Sequence, residues 1–264
     1  MAIVRPPRGL PLGPEIGQRV GLGQDNAVYE LVNSADKPHL RTATGWVTKI
    51  NHKITTETHA RIRHEDPQEA TWRGVQYKKN KYDILKHFLG DFIPDSSFVM
   101  TTAQDGGNGQ RYVELTLQRK VPKYSLNDLN EVQRSDPRLR TNLSSLLQRM
   151  QYMYRILGEV NARTSQGMGL DAKLDLGGLS DTITSERLDH VFDDQQLNGI
   201  LNKNKSPNLL VDPESMQLYC IDFDQGQWLP GMDDAKRLAF ELDGQYQHDI
   251  TQALGSTAVS GQQI

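Results

Sequence analysis

The chain of 264 residues contains one cysteine, Cys220, so no intrachain disulfide can brace its fold. Inside "LYCIDF" that residue reads as a small core side chain. No apolar run is long enough to span a bilayer. The opening residues "MAIVRPPRGLPLGPEIG" lack the apolar centre of a secretory signal. A cytoplasmic location and no membrane partner are the expectation. Charge of one sign is also scarce. With 30 Lys and Arg against 33 Asp and Glu, the net charge of -3 gives no reason to expect nucleic acid as a partner. The one conspicuous basic run, "YKKNK" at Tyr77 to Lys81, reads as the solvated face of a helix. No internal repeat is present. What remains is an ordinary globular composition, 36% hydrophobic and 24% charged, long enough for one large domain or two small lobes sharing a cleft.

The first half of the chain is rich in strand signals. "QRVGLGQDNAVYELVN" reads as strand, tight Gly-x-Gly turn and strand, and "GWVTKI" as a third strand with Lys49 near its end. A helix then spans the segment from Asp66 to Gly90. Asp66 caps it, Pro67 suits the first turn, Glu69 can reach back, and Gly90 ends it. Ile84, Leu85, Phe88 and Leu89 form its apolar face. "SFVMTTA" and "RYVELTLQRKV" are two more strands around the glycine-rich loop "QDGGNGQ".

The second half is helical. Leu143, Leu146, Leu147, Met150, Met153, Leu157 and Val160 recur at helical spacing and mark a long buried helix. "GLDAKLDLGG" follows as a short strand and turn, and Leu179 to Lys205 is polar and helix-prone. Then comes "NLLVDPESMQLYCIDFDQG", two short apolar runs joined by a turn, with Asn208 at the start and Asp222 and Asp224 at the end. "MDDAKRLAFELDGQYQHDITQAL" closes the chain as one or two helices. The expected organisation is a flexible segment over 1–18, a strand-rich lobe over 19–121, a helical lobe over 122–254 with its hinge near Pro122, and a flexible tail over 255–264.

This order resembles the protein-kinase-like superfamily, on the side of the small-molecule and aminoglycoside-phosphotransferase kinases. "VGLGQDNAVY" is similar to the loop that covers ATP phosphates, with Gly21 and Gly23 in place and Asn26 where a third glycine belongs. "WVTKI" is similar to the strand whose lysine, here Lys49, pairs with the α- and β-phosphates. Glu69 stands where the lysine-pairing glutamate of the first helix would be. Asn208, fourteen positions before Asp222, is similar to the asparagine and aspartate that hold magnesium in the family. Asp224 stands in place of the glycine of D-F-G. The resemblance implies an α+β, two-lobed protein-kinase-like fold with an antiparallel-sheet N-lobe and a mainly helical C-lobe. It also implies ATP and Mg²⁺ as cofactors, and phosphoryl transfer to an unidentified small-molecule or protein acceptor. Each residue has a plainer reading too: a hairpin for the glycines, a solubility lysine for Lys49, a helix cap for Glu69.

The chain departs from the family at the catalytic loop. The base there lies five positions before the asparagine, and here that position is Lys203. Two readings follow. "AKLDLGG" after the long helix matches the shape of the catalytic turn, which makes Asp175 the base and residues 179–205 an insertion. Alternatively there is no base, and the chain is a nucleotide-binding pseudokinase. A third possibility is an interaction module that uses the fold as a scaffold; retention of Lys49, Asn208 and Asp222 together speaks against it.

Overall fold

A computed structural model describes residues 15–22, 26–32, 45–51, 65–104, 110–122, 124–164, 190–203, 208–221 and 231–260. They form a mixed α+β fold. Strands β1 (Glu15–Leu22), β2 (Asn26–Val32), β3 (Trp46–Asn51), β4 (Ser96–Gln104) and β5 (Gln110–Arg119) make one antiparallel sheet in the order β1-β2-β3-β5-β4. The sheet begins earlier than the sequence suggests. Glu15 already pairs with Val32, so residues 15–18 belong to β1 and not to a flexible segment.

Helix α1 (Pro67–Leu89) lies between β3 and β4 in the chain and packs on β4 and β5. Its ends follow local chemistry. The Asp66 carboxylate accepts from the backbone N–H groups of Gln68 and Glu69, Pro67 opens the first turn, and Gly90 ends the helix at a φ of 59°. Ile84, Leu85, Phe88 and Leu89 are all buried.

Helix α2 (Pro137–Arg163) is capped by Asp136 and carries the predicted stripe. Leu139, Leu143, Leu146, Leu147, Met150, Met153, Ile156 and Val160 are fully buried, with Cys220 among their core neighbours. Burial pushes the Cys220 thiol up to about 12, as expected of an inert packing residue. Helix α3 (Asp194–Lys203) packs on α2. A second, small sheet joins β6 (Tyr124–Ser125), β7 (Leu209–Val211) and β8 (Leu218–Cys220).

One helix closes the chain, α4 (Met232–Ser260). It packs on α1 and α2 and runs past residue 254, so the tail expected over 255–264 is helical as far as Ser260. That stretch contains no proline, and one glycine, Gly255, does not stop a helix already propagating. Among the described residues no helix is long and apolar enough to cross a membrane.

Candidate functional site

The site starts from the register of the large sheet. Gly21 of β1 pairs with Val28 of β2, Val28 with Lys49 of β3, Lys49 with Thr116 of β5, and Thr116 with Phe98 of β4. Directly opposed residues of antiparallel strands project to the same face, so Val28, Lys49, Thr116 and Phe98 form one row. That face is turned toward α1. The ring of Phe98 meets Tyr82 of α1 at 5.6 Å, and the Tyr112 hydroxyl donates to Gln68 at 3.0 Å.

Lys49 is 8% exposed and its ammonium donates to the backbone carbonyl of Ile221. Ile221 in turn donates its N–H to the carbonyl of Asn208 at 3.0 Å. A lysine from the third strand and an asparagine 159 positions later are thus gathered at the open end of the β7–β8 hairpin. Asp222 is the next residue after Ile221, one peptide link away; it lies outside the described residues, as do Asp224, Gly23 and Asp175. Among the described residues no three His, Cys, Asp or Glu side chains cluster as a metal site would require.

Glu69 is placed differently. It sits in the first turn of α1, its backbone N–H bonded to the Asp66 cap and its carboxylate 4.0 Å from Arg73, with 68% of the side chain exposed. It borders a surface hollow of about 420 Å³ with Asp66, Gln68, Trp72 and Met100.

The sequence reading missed what β5 contributes. Thr116 and Gln118 are each 2% exposed, and Glu114 lies on the same face. A strand packed under a helix ordinarily turns apolar residues inward. Here the face toward α1 carries Glu114, Thr116 and Gln118, while Leu115 and Leu117 point the other way. The signal was visible in "VELTLQ" as strict alternation, but alternation alone does not say which face is covered. The Glu114 carboxylate is 2.8 Å from the Lys78 ammonium of α1, and the Gln118 amide donates to Ser96 at 3.3 Å. Burying such groups is tolerable because they are paired.

A second polar junction ties the helices behind the sheet. Asp243 of α4 accepts from the Tyr152 hydroxyl of α2 at 2.7 Å and lies 2.8 Å from Nε2 of His87 on α1. Burial and the Asp243 charge push the Tyr152 phenol up to about 12. Burial works to raise the Asp243 carboxyl, but the hydrogen bonds from Tyr152 and His87 outweigh it and hold the group below its usual range. Beside this junction Asn80 of α1 donates to Asp233 of α4 at 2.7 Å, and Lys236 reaches both Asn80 and Asp83.

Compared with family models, with curated proteins and with solved structures, the chain matches none.

Proposed function

We propose that the chain is a two-lobed, kinase-like protein that binds Mg·ATP between the large sheet and the β7–β8 hairpin and transfers a phosphoryl group to a small-molecule or protein acceptor. One observation carries the reading: Lys49 reaches the carbonyl of Ile221, the residue before Asp222, at the point where Ile221 is bonded to Asn208. Lys49, Asn208 and Asp222 are the positions whose motifs imply one chemistry, and a pure scaffold has no physical reason to bring a buried lysine to that hairpin end.

In this reading Lys49 neutralises charge on the α- and β-phosphates. Gly21, in the same row of the sheet, and Gly23 after it let backbone N–H groups approach the phosphates. Asn208 and Asp222, with Asp224, would hold the Mg²⁺, since amide and carboxylate oxygens suit a hard cation. The metal would supply charge neutralisation at the phosphate oxygens. Asp175 takes the proton of the acceptor hydroxyl. Glu69 steadies Lys49 only if the first turn of α1 moves it inward from its place beside Arg73.

Melting of the protein with ATP, with and without Mg²⁺, tests the reading. Ligand binding to the folded state alone raises stability by about 2.7 kcal/mol at a hundredfold excess over Kd. A melting temperature unmoved by millimolar Mg·ATP refutes it. Asp222→Asn is expected to weaken the magnesium dependence more than Asn208→Asp, because it removes the charged ligand.

A second reading, nucleotide binding without turnover, is favoured by Lys203. That residue occupies the base position five before Asn208 and is the last residue of α3. Turnover separates the two. Asp175→Asn lowers the rate by about a hundredfold or more if Asp175 is a positioned base, and wild-type protein shows no turnover if there is none.

A further inference from the structure

The hollow of about 420 Å³ at the start of α1 has an apolar lining and an acidic border. Trp72 is 49% exposed there, and half-buried Met100 of β4 shares the lining. Gln68 stands one turn before Trp72 on the same side of the helix. It holds the hydroxyl of Tyr112 at 3.0 Å, which sets a second aromatic ring at this edge. The described charges along residues 65–73 are one-sided. Asp66 spends only Oδ1 on its two cap bonds. Arg73 is 2.8 Å from Glu65 but 4.0 Å from Glu69, so the exposed Glu69 carboxylate is the less neutralised of the two.

Aromatic rings bordered by carboxylates suit a particular ligand. Prolines in the polyproline II form pack on such rings, and a neighbouring arginine pairs with the acids. The sequence ahead of β1 has this chemistry. "RPPRGLPLGP", Arg5 to Pro14, contains Arg5, Arg8 and four prolines, and no acidic residue. Arg8, Pro11 and Pro14 recur every third residue, which puts them on one side of a helix with three residues per turn.

One chain cannot bring that side to its own hollow. Pro14 is bonded to Glu15, the first residue of β1, and β1 and β4 are the two edges of the sheet. The register runs Leu22, Ala27, Ile50, Leu115, Val99 across the five strands. From Val99, beside Met100, to Glu15 is therefore four strand spacings of about 4.8 Å and seven residues of about 3.3 Å, roughly 30 Å along the diagonal. A residue bonded to Glu15 does not span that distance. A second copy of the chain is not so tethered.

We propose that the Arg8–Pro14 segment of one copy docks in the Trp72 hollow of another, with its prolines on the indole and Arg8 toward Asp66 and Glu69. Exchanged reciprocally, the contact closes a twofold dimer. The surface buried by so short a segment is small, so the association is weak and reversible. The inference is independent of the nucleotide reading.

Sedimentation of the full chain over micromolar concentrations tests it, and a reversible dimer is the expected result. Trp72→Ala and Arg8→Glu are each expected to weaken the dimer by about tenfold or more. Arg8→Glu combined with Glu69→Arg is expected to recover part of the loss, since reversing both charges restores a direct pair. Added salt weakens the wild-type dimer in the same direction. A fluorescently labelled peptide spanning Arg5–Pro14 reads the contact separately; it is expected to bind wild-type protein and to lose about tenfold in affinity with Trp72→Ala. A chain that stays monomeric at every concentration overturns the proposal, and so does a dimer that Arg8→Glu or Trp72→Ala leaves intact. Peptide binding by a monomeric chain would give the hollow to a segment of another protein and would overturn self-association as well.

Discussion

Two buried regions of this molecule are built on opposite rules. Along α2, Leu139, Leu143, Leu146, Leu147, Met150 and Met153 are fully buried and wholly apolar. On the α1-facing side of the sheet, Lys49, Thr116 and Gln118 are nearly as well covered but polar, set in register with Val28, Val47 and Phe98, and Glu114 stands beside them. The first region gains stability from every side chain it hides, about 25 cal/mol per Å² of apolar surface. The second gains little on balance, because each polar group must recover in hydrogen bonds what it loses in hydration. Stability is concentrated in the first region, and the proposed nucleotide site draws on the second. Substitutions that separate the two test the contrast.

The largest effect is expected in the apolar region. Leu147→Ala empties a site that is 0% exposed and should lower unfolding free energy by about 2–5 kcal/mol, read by chemical denaturation. If the loss is no greater than that of Thr116→Val on the polar face, the contrast fails.

Lys49→Met comes next and should divide the two properties. Nucleotide affinity is expected to fall by about ten- to hundredfold, while folding stability changes by less than about 1 kcal/mol, because methionine fills much of the same space without a buried charge. Titration calorimetry and denaturation on one preparation read both. A large stability loss with unchanged affinity would make Lys49 part of the core.

On the other face of the same strand, the Thr48 hydroxyl is buried and has no hydrogen-bond partner among the described residues. Thr48→Val removes that cost and should raise stability by about 1 kcal/mol. Destabilisation would show that the polar character of β3 is required on both faces.

The smallest effect belongs to the Tyr152–Asp243–His87 junction where α1, α2 and α4 meet. The folded protein holds the Tyr152 proton to about 12, above the ordinary value of 10, so the unfolded chain ionises first. The stability this provides is full below pH 10 and is lost as pH rises toward 12. Asp243 has the opposite sign: its carboxyl is depressed, so its contribution is present above the ordinary value of 3.8 and disappears as pH falls below it. Tyr152→Phe should flatten the alkaline limb of a stability-against-pH curve, and Asp243→Asn the acid limb. Cys220 acts in the same alkaline direction, from 9 toward about 12, and the difference between wild type and Tyr152→Phe isolates the phenol. An alkaline limb identical in the two proteins would show that the junction contributes nothing there.

Reading the sequence recovered most elements because their signals are local. Asp66 and Pro67 start α1 and Gly90 stops it through contacts a few residues long. The leucines and methionines of α2 announce a buried face at a spacing of 3.6. The two ends depart from the expected bounds, the first because of a distant partner and the second because a helix once started propagates. β1 extends to Glu15 because Val32 is there to pair with it, and α4 continues to Ser260 although its composition resembles a tail. The site was legible only in part. Lys49 and Asn208 were picked out, and the structure brings them to one hairpin end. Glu69 was picked as the partner of Lys49, yet its side chain lies beside Arg73. The cover that α1 gives Glu114, Thr116 and Gln118 is not legible, since nothing within "VELTLQ" tells which of its two faces is covered.

The sequence by itself determined where strands and helices form, which helix face is apolar, and that one cysteine would be an inert core residue. Short-range sterics, capping and periodicity are enough for that. Only the tertiary structure decided that Lys49 meets a carbonyl 172 residues away, that Glu114 rests against Gly74, and that His87, Tyr152 and Asp243 share one junction. Those meetings depend on sheet register and on how the helices settle over it. A shift of one residue in register would turn Lys49 to the opposite face and leave its codons unchanged.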